Sequence, residues 1–387
     1  MINDEPLALP PYTFDPALTD DENYLIWAAI LCRHSNSRKG HMGALLVKDH
    51  QVIAYANNTP ILWNAIQKKV PEVHAECLAV CRSAKKGISV CGSTCYVTAP
   101  PCNECFQTLA ASGVTRIVHL NTTRPVSVNV AAEAIGIELV GMSYGRDVLD
   151  YNERAKKHWE QARETAEATR ARVDAWWKRW MRIYKDAATR LDVPVVEIDG
   201  NGHKKRKLKN TNDGDDVCRH SNSRKGHMGA LLVKDHQVIA YANNTPILWN
   251  AIQKKVPEVH AECLAVCRSA KKGISVCGST CYVTAPPCNE CFQTLAASGV
   301  TRIVHLNTTR PVSVNVAAEA IGIELVGMSY GRDVLDYNER AKKHWEQARE
   351  TAEATRARVD AWWKRWMRIY KDAATRLDVP VVEIDGN

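Results

Sequence analysis

The sequence predicts a three-layer α/β domain that occurs twice, each copy followed by a long amphipathic helix. Three observations lead there. Residues 32–201 recur without substitution as 218–387. Within a copy, short β-branched runs alternate with stretches of helical periodicity, the order that layers a sheet between helices. Residues 147–192 then contain neither proline nor glycine and are filled with strong helix formers.

The elements of one copy follow in order. Thr19-Asp-Asp-Glu22 reads as a capping box, with Leu25, Ala28, Ala29 and Cys32 at helical spacing behind it. Residues 42–48 and 51–57 read as a hairpin closed by Asp49-His50. A helix is expected from His74 to about Lys85, and a third strand over 93–98. Cys102 to Ser112 is a second helix of this kind, stopped by Gly113. Strands over 115–120 and 137–141 flank a helix from Val126 to Ile135.

The chain has 387 residues, room for two domains of ~100–200 residues each. It is 45% hydrophobic and 24% charged, an ordinary globular composition. Fifty-one Lys and Arg against 43 Asp and Glu leave a net charge of +8, a bias suited to phosphate-bearing ligands. No apolar run approaches the ~18 residues of a membrane span, so no membrane partner is expected. The start carries Asp4 and Glu5 rather than a basic, apolar leader, so a cytoplasmic location is expected. The fourteen cysteines, seven per copy, are then better read as metal ligands or buried thiols than as disulfides.

Five segments are expected: a complete domain over 1–146, a Trp-rich basic helix over 147–201, a linker over 202–217, a second domain over 218–332 and a second Trp-rich helix over 333–387. The identity of the copies is what a recent duplication or an error of sequence assembly would leave. The repeat begins inside the first helix, so copy two lacks Tyr24, Leu25, Ile26, Trp27 and Ile30. If three of these are core, their loss costs roughly 5–9 kcal/mol, comparable to a domain's whole stability of ~5–15 kcal/mol. Copy two should therefore be weak unless something else fills that place. The linker is polar with glycine at both ends. Within it, Lys204-Lys-Arg-Lys207 is either a solvated charge run or a nuclear-import signal.

In the Trp-rich segment, Val173, Trp176, Trp177, Trp180, Ile183, Tyr184, Ala187 and Leu191 form a stripe. Arg170, Arg172, Lys178, Arg179, Arg182 and Lys185 lie opposite. The periodicity is that of a buried face. The alternative is a nucleic-acid surface, with tryptophans stacking on bases and arginines on phosphates.

Two short motifs carry chemistry: His74-Ala75-Glu76 and Pro101-Cys102-Asn103-Glu104-Cys105. One imidazole and two thiolates make three zinc ligands, and a catalytic zinc leaves its fourth position open. Each motif opens an expected helix. Cys102 and Cys105 share one face of a first turn, where the helix N-terminus favours thiolate. Glu76, two residues past the histidine, is suited to moving a proton at the metal-bound face. Copy two repeats the set as His260, Ala261, Glu262, Cys288 and Cys291.

The pattern H-x-E followed by P-C-x-x-C is the signature of zinc-dependent nucleobase deaminases. With it, the chain resembles the cytidine/deoxycytidylate deaminase superfamily, and within it the dCMP deaminase branch. The matching stretches are Met42-Gly-Ala-Leu-Leu-Val, Asn57-Asn-Thr-Pro60, Lys69-Val-Pro-Glu-Val-His-Ala-Glu76, Tyr96-Val-Thr, Pro101-Cys-Asn-Glu-Cys105 and Ser112-Gly-Val-Thr-Arg-Ile-Val118. The resemblance implies a five-stranded mixed sheet flanked by helices. It implies Zn2+ on His74, Cys102 and Cys105, with Glu76 as proton shuttle. It implies that Asn57 holds the nucleotide and that the Ala75 backbone N–H meets the pyrimidine carbonyl. Asn243 and Ala261 are the copy-two equivalents. The implied reaction is hydrolysis at C4 of a cytosine nucleotide, dCMP to dUMP, with loss of ammonia. Leu78 stands where these enzymes often carry asparagine, a departure that looks more like transfer-RNA adenosine deaminases, and Tyr55-Ala-Asn-Asn58 lacks the family's flanking glycines. Arg38, Lys39 and Arg124 are candidates for the phosphate by position in the chain.

Two other readings are weighed: a deaminase of RNA or single-stranded DNA, and a pseudo-dimer whose second copy is only structural or regulatory. The superfamily is commonly oligomeric, so a homo-oligomer or an internal pair is expected.

Overall fold

The computed structural model describes residues 8–38, 40–61, 71–120, 125–142, 146–162, 165–193, 221–223, 228–247, 257–306, 311–328 and 352–380. The linker with Lys204–Lys207, together with Lys39, Arg124 and Cys218, lies outside them.

Copy one starts with α1 (Asp20–Cys32). Its capping box is formed: the Thr19 hydroxyl accepts from the Glu22 N–H, and the Glu22 carboxylate accepts from the Thr19 N–H at 2.7 Å. A five-stranded sheet follows in the order β2 (Gln51–Asn57), β1 (Gly43–Lys48), β5 (Thr94–Val97), β6 (Arg116–Leu120), β7 (Glu138–Met142). Strand β1 is antiparallel to both neighbours, whereas β5, β6 and β7 run parallel. The hairpin turn works because Asp49 and His50 both adopt positive φ, 50° and 58°, the twist that matches two antiparallel strands. The parallel strands are joined through α3 (Asn103–Ala111) and α4 (Val126–Ile135), as parallel pairs require. A two-residue pair not legible in the sequence, β3 (Thr59–Pro60) with β4 (Glu72–Val73), delivers the chain into α2 (Ala75–Lys86). That helix stops at Gly87, whose φ of 72° is a left-handed cap.

Helices α2, α3 and α4 cover one sheet face; α1 and α5 (Arg146–Gln161) cover the other. On the second face Leu25, Ile26, Ile30 and Leu31 pack on Leu45, Val47, Tyr96 and Val118 in a core of their own. Asp21 anchors α1 there. It receives both Arg116 Nη atoms at 2.7 and 2.8 Å and the Tyr96 hydroxyl at 2.8 Å. The Arg116 hydrogen bonds hold its carboxyl below the usual carboxylate range. The approach of α1 to β1 is close enough that a Cβ at Gly43 would strike the Ala28 carbonyl and lie 3.2 Å from the Cys32 nitrogen. Gly43→Ala should therefore cost about 1–3 kcal/mol by overpacking. A denaturation midpoint within error of the parent would mean that the helix is not held at this distance.

The expected single helix after the domain comes as two, α5 and α6 (Ala166–Arg190). Thr165 supplies the break: its hydroxyl accepts from the Ala168 N–H at 3.0 Å and starts a fresh helix, a local competition that propensity does not register. Trp177, Trp180 and Tyr184 are buried in the main core. The Trp177 indole donates to the Asn36 carbonyl at 2.8 Å, and the Tyr184 hydroxyl bonds the Ile61 carbonyl. Arg172, expected on the solvated face, instead reaches the Arg33 carbonyl at 2.6 Å and Asn36 Oδ1 at 2.8 Å. Leu191, expected in the stripe, is exposed past the helix end. The tryptophans are packing groups rather than a base-stacking platform.

Copy two repeats the sheet as β14 (Glu324–Met328), β13 (Arg302–Leu306), β12 (Thr280–Val283), β8 (Gly229–Lys234), β9 (Gln237–Asn243). Its strand pair is β10 (Thr245–Pro246) with β11 (Glu258–Val259). Its described helices are α7 (Ala261–Lys272), α8 (Asn289–Ala297), α9 (Val312–Ile321) and α10 (Ala352–Arg376). The two copies share one core. Helix α2 packs on α7, and α6 and α10 each cross to the α9 or α4 of the other copy. Reciprocal bonds close the joint: Val90 N to Ala270 O and Val276 N to Ala84 O, both 3.0 Å, and Ser89 Oγ to Lys271 O and Ser275 Oγ to Lys85 O, both 2.8 Å. Arg190 pairs with Glu319 and Arg376 with Glu133.

Candidate metal centre and active site

Each expected ligand stands at a helix start, where backbone N–H groups are unpaired and the helix end is positive. His74 is the N-cap of α2 and Cys102 the N-cap of α3, both in extended backbone. Cys105 lies one turn into α3 and is buried. The β3–β4 pair brings Val73 opposite Thr59, so His74 emerges beside the chain end that carries Asn57.

The fold brings the three donors together. His74 Nδ1 is 3.2 Å from Cys105 Sγ and 3.5 Å from Cys102 Sγ. Tetrahedral zinc with bonds of ~2.3 Å to sulfur and ~2.0–2.1 Å to nitrogen needs an N···S edge of about 3.5 Å. The donor set therefore fits zinc in spacing and in chemical type. Copy two reproduces the geometry, with His260 Nδ1 at 3.2 Å from Cys291 Sγ and 3.5 Å from Cys288 Sγ. Among the described residues these are the two groups of three His, Cys, Asp or Glu able to hold a metal ion.

The electrostatics favour deprotonated sulfur at Cys102, while hydrogen bonds to Cys102 and Cys77 and burial raise the Cys105 thiol. Hydrogen bonds from Cys105 and then His74 hold the Cys102 thiol down to about 4. The Cys102 hydrogen bond in turn pushes His74 up to about 10. Burial raises Glu76, whose side chain is 5% exposed, against the pull of its own backbone N–H and His74. A carboxyl so placed takes up a proton more readily than an exposed one. Ala75 is fully buried as the first residue of α2, so its N–H has no acceptor within the helix. Asn57 is buried, and its Nδ2 has no partner among the described residues. Such an orphan donor costs ~1–3 kcal/mol unless something accepts from it.

Other residues of the site were not singled out in the sequence. The Cys77 thiol lies 3.7 Å from Cys105 Sγ and 3.4 Å from the Thr108 hydroxyl, so it borders the donor set. Its position three residues after His74 was a usable signal. Asn58 and Glu72 brace the loop beside the site. Asn58 Nδ2 donates to Glu72 Oε2 at 3.0 Å, while the Ser35 and Ser37 hydroxyls donate to Asn58 Oδ1 and Glu72 Oε1 at 2.7 and 2.9 Å. Glu104 and Glu290, from opposite copies, line one cleft together with His74 and His260. Burial and the facing Glu104 push Glu290 up to about 7. No spacing rule within one copy predicts that pair, because the joint creates it. Arg38, a phosphate candidate, is occupied: it pairs with Asp174 at 2.8 Å and lies over Trp177.

The sequence matches the cytidine and deoxycytidylate deaminase zinc-binding region over residues 18–121 and again over 215–307. It is 41% identical over 51 residues to deoxycytidylate deaminase of Enterobacteria phage T2, 13% of this chain and 27% of that protein. It is 31% identical over 81 residues to a probable deoxycytidylate deaminase of Drosophila melanogaster, 21% of this chain and 39% of that protein. The matches thus span about a quarter to two fifths of these relatives. Among solved structures, dCMP deaminase from cyanophage S-TIM5 in apo form aligns at 23% identity and a TM-score of 0.28, over 33% of this chain and all of that one.

Proposed function

The chain belongs to the cytidine and deoxycytidylate deaminase zinc-binding family, and from that premise we propose that it hydrolyses a cytosine nucleotide, dCMP to dUMP, with release of ammonia. The observation that carries the proposal is the convergence of His74 Nδ1, two cysteine sulfurs and the buried Glu76 at two facing helix starts. His74, Cys102 and Cys105 would hold zinc, as would His260, Cys288 and Cys291. Bound zinc supplies Lewis acidity and makes a water deprotonate near neutral pH.

The chain's own residues do the rest. Glu76 accepts one proton of the attacking water and gives it to the pyrimidine N3, where it stays in uracil; it then takes the second, from the hydroxyl at C4, and gives it to the departing amino group. Burial suits it to this task, because it weakens the preference for the charged form. The Ala75 N–H donates to the pyrimidine carbonyl at C2 from the positive end of α2. Asn57 offers its unpaired amide N–H to the nucleotide. Water adds at C4 and the C4–N bond breaks, so cytosine and water become uracil and ammonia. Copy two holds the same groups, and Glu262 is as buried as Glu76. The relatives named for deoxycytidylate support a deoxynucleotide monophosphate as the substrate.

The test is ammonia release by zinc-loaded full-length chain from cytidine, deoxycytidine, CMP, dCMP, dCTP, adenosine and a short single-stranded oligonucleotide. Turnover is expected with dCMP and should vanish on chelation of zinc. Turnover of the oligonucleotide alone would overturn the reading in favour of nucleic-acid deamination.

A further inference from the structure

Copy one shows what its outer sheet face requires, and copy two presents the same face without it. Leu45 and Tyr96 are 0% and 5% exposed beneath α1, but their equivalents Leu231 and Tyr282 are 43% and 39% exposed. Val238 and Tyr241 extend the open face, at 55% and 64%. Four large apolar side chains thus share one side of a single twisted sheet. Contiguous exposure of this kind on a folded domain marks a contact surface.

The face is also charged in a definite way. In copy one, Arg116 and Tyr96 together clasp Asp21 from the first turn of α1, while Arg116 Nε keeps Glu138 at 3.1 Å. In copy two, Arg302 keeps only the matching Glu324, also at 3.1 Å. Its two Nη groups and the Tyr282 hydroxyl have no acceptor among the described residues. The receptor for a helix carboxylate is present and the carboxylate is missing. The segment joining the copies cannot supply the helix: over residues 202–217 its large apolar residues are Leu208 and Val217 alone.

We propose that the outer face of copy two is a docking site for a helix of α1 chemistry, contributed by a partner. Such a helix carries a carboxylate in its first turn and, four to five residues on, a Leu-Ile stripe that continues through the next turns. Arg302 and Tyr282 receive the carboxylate; Leu231, Val238 and Tyr241 receive the stripe. Pairing of two such faces between copies of the chain fits less well. It would bury two guanidinium groups, each with its own Glu324 but without the second carboxylate that Arg116 receives from α1 in copy one. An α1-type helix meets both the apolar and the ionic requirement, as copy one demonstrates on an identical set of side chains.

The probe is a fluorescein-labelled peptide of residues 8–33, titrated into the full-length chain and followed by anisotropy. Saturable binding of one peptide per chain is expected. Leu231→Lys should abolish it, and Arg302→Ala in the chain or Asp21→Asn in the peptide should each weaken it by about tenfold or more, the weight of a charge-assisted bond. Both chain substitutions lie only in copy two, so they separate docking from exchange with the chain's own α1. Unchanged near-ultraviolet circular dichroism establishes that each variant is folded. Absence of saturable binding up to about 100 µM, where even a weak contact registers, overturns the proposal. So does equal binding to Leu231→Lys. A chain dimer seen by sedimentation that Leu231→Lys dissolves, and with which the peptide does not compete, overturns it in favour of self-association.

Discussion

Glu76→Gln combined with Glu262→Gln is expected to lower kcat/KM for dCMP by about 10²–10⁴-fold, the range set by losing a positioned proton carrier. Glutamine preserves the volume and the hydrogen-bonding tip but cannot accept a proton from water. Neither glutamate belongs to the His/Cys/Cys donor sets. Zinc content should therefore stay at that of the parent chain, two ions per chain if both donor sets fill. The loss should appear in kcat rather than in KM, since the carboxylate acts on the moving proton. Each single substitution should leave about half the turnover, because the two donor sets have the same spacing and Glu76 and Glu262 the same burial. Full activity in the double variant would dismiss Glu76 as the shuttle. Full activity in Glu262→Gln alone would assign copy two a structural role.

Leu25→Ala with Ile30→Ala should destabilise copy one severely. Both side chains are fully enclosed between α1 and the sheet. Each truncation costs about 2–5 kcal/mol in transfer and cavity terms, so the pair rivals a typical domain stability of ~5–15 kcal/mol. The core under α1 is separate from the one shared by the two copies. Unfolding in urea should therefore split, with the outer layer of copy one melting first. Amide exchange should locate the lost protection on α1, β1 and β5. A combined loss under ~1 kcal/mol, or a single unchanged transition, would mean that α1 is dispensable; the exposed Leu231, Val238 and Tyr241 of copy two would then need no partner.

Much of this molecule could be read in order along the chain. Local patterns carry their own physics: the Thr19–Glu22 capping box, the Asp49-His50 turn and the alternation of strand and helix all rest on contacts within a few residues. The His/Cys/Cys donor set was legible for the same reason. Its three donors lie in two short motifs, each at a helix start, and the spacing of Cys102 and Cys105 on one turn leaves little freedom. The first helix, too, disclosed its importance through the apolar residues that copy two lacks.

What the sequence left open depends on contacts between distant segments. The break between α5 and α6 turns on the Thr165 hydroxyl capturing a backbone N–H. Arg172 looked solvent-facing by periodicity, yet the 33–36 loop offers it carbonyls that a helical wheel does not represent. Tryptophans that could stack on bases are buried because α6 closes over that loop and over Ile61.

By itself, the amino-acid sequence determined the local elements, the His/Cys/Cys donor sets and the repetition of the domain, since each follows from residues near one another in the chain. The tertiary structure alone decided that the copies share one core, that Glu104 and Glu290 line a common cleft, and that Arg302, among the described residues, lacks the second carboxylate that Arg116 holds. Two identical sequences reach different surroundings there because burial and pairing belong to what packs against a residue, and only copy one has α1 to pack.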